Sequence, residues 1–280
     1  MASLPRQPHP PWTIAPRRPL RGAIASAIAN ECAWIATIAR NRDAAVAVHR
    51  VRQSTKRLRA LARLLRPCAG DELYKSWNTT LRDLARSLAN ERDADVWVAT
   101  YRRLARSNIK IPRVGRDDAA KLLQKVAEGI FIFNETWQRS LPKRISRESI
   151  RLGLRRSFRR AKQQYKIALD DTNSETLHEL RKRLKTVRAQ VELLENVFEA
   201  RSRDAISSWL KKTDILSKTL GEEHDLATFL IIKDQLKKGA VSERICEKAG
   251  RKREKLKTES LACAKDIFEL DPSERFWDRL

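Results

Sequence analysis

The sequence has little with which to build a redox, metal or membrane protein. Its four cysteines, Cys32, Cys68, Cys246 and Cys263, are widely spread, with no CxxC pair and no histidine at ligand spacing, which argues against a zinc site or a disulfide framework. Reduced thiols suit a cytoplasmic protein. Apolar runs are cut by charge well short of the roughly 18 residues that a membrane helix needs, and the amino terminus lacks the apolar core of a secretory signal, so no membrane segment is expected. There is no GxxxxGK[ST] loop, GxSxG elbow, HExxH pair or carboxylate cluster suited to magnesium. No catalytic residue, cofactor or metal is therefore assigned. Only eight glycines and three tyrosines dilute a chain rich in Ala, Leu, Arg, Lys, Glu and Ile, so local propensity favours helix almost throughout.

What is abundant is positive charge. Fifty-nine Lys and Arg against thirty-five Asp and Glu give a formal charge of +24 over 280 residues, far beyond what solubility requires. Such a chain repels itself unless an anionic partner is present. Six of the ten prolines fall within the first 19 residues, so residues 1–19 read as a disordered, Pro-rich basic arm. A client-binding role for the arm predicts that deleting it spares anion binding and abolishes recruitment.

From Leu20 onward apolar residues recur three and four apart, with breaks expected at Pro67 to Gly70, Ile111 to Gly115, Leu141 to Pro142 and Gly221. The pattern repeats internally. Leu73, Trp77, Leu81, Leu84 and Leu88 form one stripe, and Ile206, Trp209, Leu216 and Leu220 form another, with Trp77, Leu84 and Leu88 matching Trp209, Leu216 and Leu220 at an offset of 132. The preceding helices match at an offset of 129, where His49, Arg52, Lys56 and Arg59 correspond to His178, Arg181, Lys185 and Arg188. The expected fold is all-α: a duplicated unit of four to five antiparallel helices, with an arm at 1–19, a first repeat at 20–142 and a second at 143–280.

Residues 0, 3, 7 and 10 of a helix share an arc of roughly 80°, so each quartet is one basic edge about 15 Å long. Arg63 extends the first edge by a turn, where the second has Glu192. Both edges border the apolar face, Val48, Val51, Leu58, Ala62 and Leu65 in one helix and Leu177, Leu180, Leu184, Val187, Val191 and Leu194 in the other. That position tends to lie at the margin of a groove. Arg151, Arg155, Arg159, Lys162 and Lys166 form a further basic edge one helix earlier. A single run of this kind is commonly just a solvated face; its recurrence beside equivalent apolar faces favours an anion site, and guanidinium forks favour phosphate. The histidines read either as phosphate ligands, as imidazolium in a field of negative charge or as neutral hydrogen-bond donors, or as hydrogen-bonded residues at helix starts. Their cationic neighbours oppose a metal-ligand role. His224 stands where the first repeat has Arg92, and Asp93 and Asp225 read as helix-start caps or ion-pair partners.

The segment His49 to Arg59 and the run Leu177-His178-Glu179-Leu180-Arg181-Lys182-Arg183-Leu184-Lys185 resemble the two signature helices of CHAD domains, the conserved histidine α-helical domains. A second matching pair is Leu88-Ala89-Asn90-Glu91-Arg92-Asp93 and Leu220-Gly221-Glu222-Glu223-His224-Asp225. The resemblance covers roughly residues 20 to 270. It implies two helical bundles related by pseudo-two-fold symmetry around a basic cavity that binds inorganic polyphosphate and can place the protein on polyphosphate granules in the cytoplasm. Carried over by position, the phosphate contacts are His49, Arg52, Lys56, Arg59 and Arg63, and His178, Arg181, Lys185 and Arg188, with Lys182, Arg155 and Arg159 as weaker additions. CHAD domains are often joined to a CYTH triphosphatase-type domain; no ExExK element of such enzymes is present here, so no hydrolytic activity is carried over. The competing reading is a non-sequence-specific nucleic-acid-binding helical protein, and weak DNA or RNA binding at low salt is expected of any surface this basic.

Overall fold

A computed structural model of the chain describes residues 11–14, 19–41, 43–105, 117–234, 242–269 and 276, side chains at 89–96, 117–118 and 233–234 excepted. Among the described residues it is all-helical: α1 (Leu20–Ile38), α2 (Ala44–Arg86), α3 (Ala89–Ala105), α4 (Asp117–Ser140), α5 (Arg147–Asp170), α6 (Ser174–Leu194), α7 (Arg203–Asp234) and α8 (Glu243–Phe268). No helix in that set is long and apolar enough to cross a membrane.

Local chemistry sets the helix starts. Asp43 accepts hydrogen bonds from the Ala45 and Val46 amides, Ser146 from Ser149, and Asn173 from Glu175 and Thr176, satisfying the otherwise orphaned donors of α2, α5 and α6. The break expected at Pro67 to Gly70 is a bend inside α2: Gly70 has φ 81° and ψ 170°, a backbone state that favours glycine. A forked ion pair, Arg66 to Asp71 at 2.7 and 2.9 Å, spans the bend, with the Arg66 guanidinium 5.0 Å above the Tyr74 ring. The break at Leu141 to Pro142 follows the end of α4. Gly221 does not break a helix; α7 runs through it, and its small size serves another purpose described below. The break expected at Ile111 to Gly115 lies outside the described residues.

Both Trp stripes face inward as their spacing requires: Trp77, Leu81 and Leu88 are buried on one side, Ile206, Trp209, Leu216 and Leu220 on the other. Trp77 stacks on Trp137 of α4 at 4.8 Å, and Trp209 meets Phe276 edge to face at 5.8 Å. Helices α1, α2 and α4 pack on one another, as do α5 to α8, and α2 crosses both α5 and α6, so one continuous core joins the two halves. At the α2–α5 crossing Gly153 sits against the backbone of Leu64. In the α2–α6 contact the buried Gln190 amide donates to the Ala60 carbonyl at 2.8 Å. Helix α3 reaches over to the second half: Trp97, Tyr101 and Leu104 pack with Leu226, Phe229 and Leu256 of α7 and α8 in a smaller core.

Part of the arm expected to be disordered is docked. Trp12 and Ile14 are buried; the Trp12 indole donates to the Ala189 carbonyl at 2.7 Å, the Ile14 amide to the Leu193 carbonyl at 3.0 Å, and the Arg57 guanidinium lies 5.9 Å from the Trp12 ring centre. The proline content of residues 1–19 signals extended backbone, but an indole that finds both an apolar slot and an acceptor binds that backbone to α6. Residues 1–10 and 15–18 lie outside the described residues.

Candidate functional site

The basic edge of α2 runs from solvent into a crowded junction. His49 and Lys56 are exposed, whereas Arg52, Arg59 and Arg63 are half-buried. Arg52 reaches across the bend of α2 to donate to the Ala85 carbonyl at 2.6 Å, and Arg59 donates to Asn78 Oδ1 at 3.0 Å. These bonds hold the guanidiniums without neutralising them. The Arg59 guanidinium is pushed down to about 10, first by burial and then by Arg63, Arg82 and Arg86, with Tyr74 opposing. Arg63 is also lowered, first by burial, then by Arg183 of α6 and Arg160 of α5, against which the Tyr74 hydroxyl partly compensates. Arg59 thus lies within electrostatic reach of three other arginines of α2, and Arg63 within reach of one arginine from each of the two helices that α2 crosses.

Spacing along the sequence does not single out Arg183 and Arg160; it favours Arg181, Arg155 and Arg159. Arg155 is half-buried and Arg159 exposed on α5. What brings Arg160 and Arg183 to the junction is the rotation at which α5 and α6 meet α2, which no single helix encodes.

The second edge is organised differently. His178 is half-buried with its ring 4.0 Å from that of His224, and its Nδ1 is buried with no hydrogen-bond partner among the described residues. Burial first, then His224, Lys182 and Arg181, push its pKa down to about 4, with Glu179 opposing. It is therefore neutral at physiological pH in the anion-free protein. The Arg181 guanidinium lies flat over Gly221: a Cβ there would stand 3.1 Å from its Nη2. This close approach, not helix termination, is what Gly221 permits. Lys182 pairs with Glu179, which Arg183 approaches at 3.9 Å, and Lys185 is exposed. Arg188 is committed to two acids, Glu192 at 2.8 Å and Asp214 at 2.6 Å, and Lys218 closes on the other Asp214 oxygen at 2.7 Å.

The acids of the Gly221-Glu222-Glu223 run have a structural role that spacing does not suggest. Glu223, fully buried, accepts from Ser174 and from Arg253, and Glu222 pairs with Lys252 at 2.6 Å and Arg103 at 2.7 Å, tying α3, α6 and α8 to α7. Asp225 lies in the middle of α7 and is no helix-start cap. The side chains of Arg92 and Asp93 lie outside the described residues.

The His178 environment has a measurable consequence. An unfolded chain takes up a proton at histidine near 6.5, whereas the folded protein resists doing so until about 4, so stability falls as the pH drops through that window. In chemical denaturation, a His178→Gln variant should lose on the order of 2 kcal/mol less than the parent between neutral pH and pH about 4.

A family model described as CHAD domain matches residues 20–231. The crystal structure of the CHAD domain from the plant Ricinus communis superposes with a TM-score of 0.58 at 17% identity, over 95% of this chain and 96% of that one. No curated protein matches.

Proposed function

The chain belongs to the CHAD domain family, and from that premise we propose that it is a non-enzymatic binder of inorganic polyphosphate, gripping the polyanion where α2 meets α5 and α6. The observation that carries this reading is the placement of Arg59 and Arg63, both half-buried and lowered first by burial and then by neighbouring guanidiniums, those of α2 for Arg59 and those of α5 and α6 for Arg63. Holding these cations together costs free energy in the empty protein, and a dense chain of phosphates recovers it by charge-assisted hydrogen bonds in a partly desolvated groove. The exposed Lys56, Lys182 and Lys185, with His49, Arg52, Arg155, Arg159 and Arg181, extend the cationic surface on either side.

The pairing of helices supports a pseudo-symmetric arrangement of two antiparallel bundles: α1 against α2 and α4 corresponds to α5 against α6 and α8, with α2 and α6 in contact at the centre. A polyanion lying along that contact reaches both halves. Such binding would also allow the protein to be held on polyphosphate granules.

Isothermal titration with orthophosphate, tripolyphosphate and long-chain polyphosphate, at equal phosphate concentration and near-physiological salt, tests the reading. Affinity per chain should rise with length until the groove is filled, because each further phosphate binds at high effective concentration. Orthophosphate matching long chains per phosphate would overturn it.

A further inference from the structure

We propose that the two halves do not share the polyanion equally: Arg59, Arg63, Arg82 and Arg86, completed by Arg160 and Arg183, form the principal phosphate site, while the matching patch around Arg188 is closed by its own acids. This rests on the polyphosphate-binding reading and assigns that ligand to one side of the molecule.

The internal repeat makes the comparison position by position. At an offset of 129, Arg59 matches Arg188 and Arg63 matches Glu192; at an offset of 132, Arg82 matches Asp214 and Arg86 matches Lys218. Four cations in the first half therefore stand against two cations and two anions in the second. An acid does stand beside the first cluster: Asp83, which accepts from Arg82 at 2.9 Å and has Ile215 as its counterpart.

Geometry shows that the exchange is used. Arg188 spends both Nε and Nη1 on carboxylates, and Asp214 bridges it to Lys218. Burial opposes its charge, yet the two carboxylates outweigh burial and raise its pKa, whereas the matching Arg59 has a neutral amide partner and is lowered by burial and by cations. A phosphate arriving at Arg188 must displace formed ion pairs and leave two partly buried carboxylates facing it. At Arg59 it meets guanidiniums whose mutual repulsion it relieves. The same pair of exchanges, Arg63 to Glu192 and Arg82 to Asp214, thus converts a phosphate site into an internally satisfied patch.

The test compares equivalent positions by titration with long-chain polyphosphate at near-physiological salt, using the full chain. Arg59→Gln should weaken binding by about tenfold and Arg188→Gln by less than about twofold, a difference of roughly one charge-assisted phosphate contact. The near-isosteric double change Glu192→Gln with Asp214→Asn should instead tighten binding several-fold and steepen the dependence of log K on log salt by about one further released ion. Melting curves show that each variant is folded, and the double variant reads out by gain, so a misfolded protein cannot imitate it. Equal losses at Arg59 and Arg188, or no gain in the double variant, overturn the asymmetry while leaving polyphosphate binding intact. A parent protein that ignores polyphosphate overturns both.

Discussion

Arg63→Glu should weaken long-chain polyphosphate binding by about 30- to 100-fold and, in the anion-free protein, leave the melting temperature unchanged or higher. The two effects have opposite sign for one reason. Arg63 sits half-buried within electrostatic reach of Arg59, Arg160 and Arg183 and donates to the Tyr74 hydroxyl, so a carboxylate there exchanges three repulsions for three attractions and can accept from that hydroxyl instead. Glu192, at the matching position, already forms such a pair with Arg188 at 2.8 Å. For the ligand the change removes a cation and installs an anion at the point where three helices present their charge. Reversing a residue whose role is structural would lower stability; reversing one held in a costly place for binding leaves stability unchanged or raises it. Titration calorimetry with thermal unfolding on the same samples measures both, and a variant that binds as the parent does would remove Arg63 from the site.

Gly153→Ala should destabilise the fold by about 3 kcal/mol, at the upper end of what one added methyl costs in a packed interior. A Cβ at this position would overlap the Leu64 carbonyl oxygen and lie 2.9 Å from its carbon, so the obstacle is backbone and no rotamer change relieves it. Helix α5 must lift from α2, opening the crossing that brings Arg160 to Arg63. Gly250, inside the first third of α8, is the contrasting case: an added Cβ there would meet nothing within 4 Å, and the same substitution should stabilise by about 0.5 to 1 kcal/mol through helix propensity alone. Urea denaturation of the two variants separates packing from propensity, and losses of equal size would contradict the close-crossing account.

The architecture was legible where one helix carries its own information. The stripes through Trp77 and Trp209 follow the 3.6-residue period and are buried accordingly, and the all-helical content follows from a composition poor in Gly and rich in Ala, Leu, Lys, Arg and Glu. Signals with two physical meanings misled. Gly221 reads as a stop, yet it clears space for the Arg181 guanidinium; the prolines of the arm read as disorder, yet Trp12 and Ile14 find a slot on α6. The site was legible in kind and only partly in membership. Which arginines of α5 and α6 reach Arg63 depends on the rotation of three helices about one another, and the partnership of Arg188 with Asp214 joins residues 26 apart. The exchange of Arg82 for Asp214 was nonetheless present in the repeat itself, at the offset of 132 that the Trp and Leu stripes define. Its meaning needed the geometry.

The most direct measurement is competition at near-physiological salt, with labelled long-chain polyphosphate on the protein and unlabelled polyphosphate, RNA or DNA as challengers. Crowded guanidiniums in a partly desolvated groove favour the denser, slimmer anion, so unlabelled polyphosphate should displace the label at phosphate concentrations at least about tenfold below those needed with nucleic acid. Equal displacement per phosphate by RNA or DNA would contradict the account and make the chain a general polyanion binder.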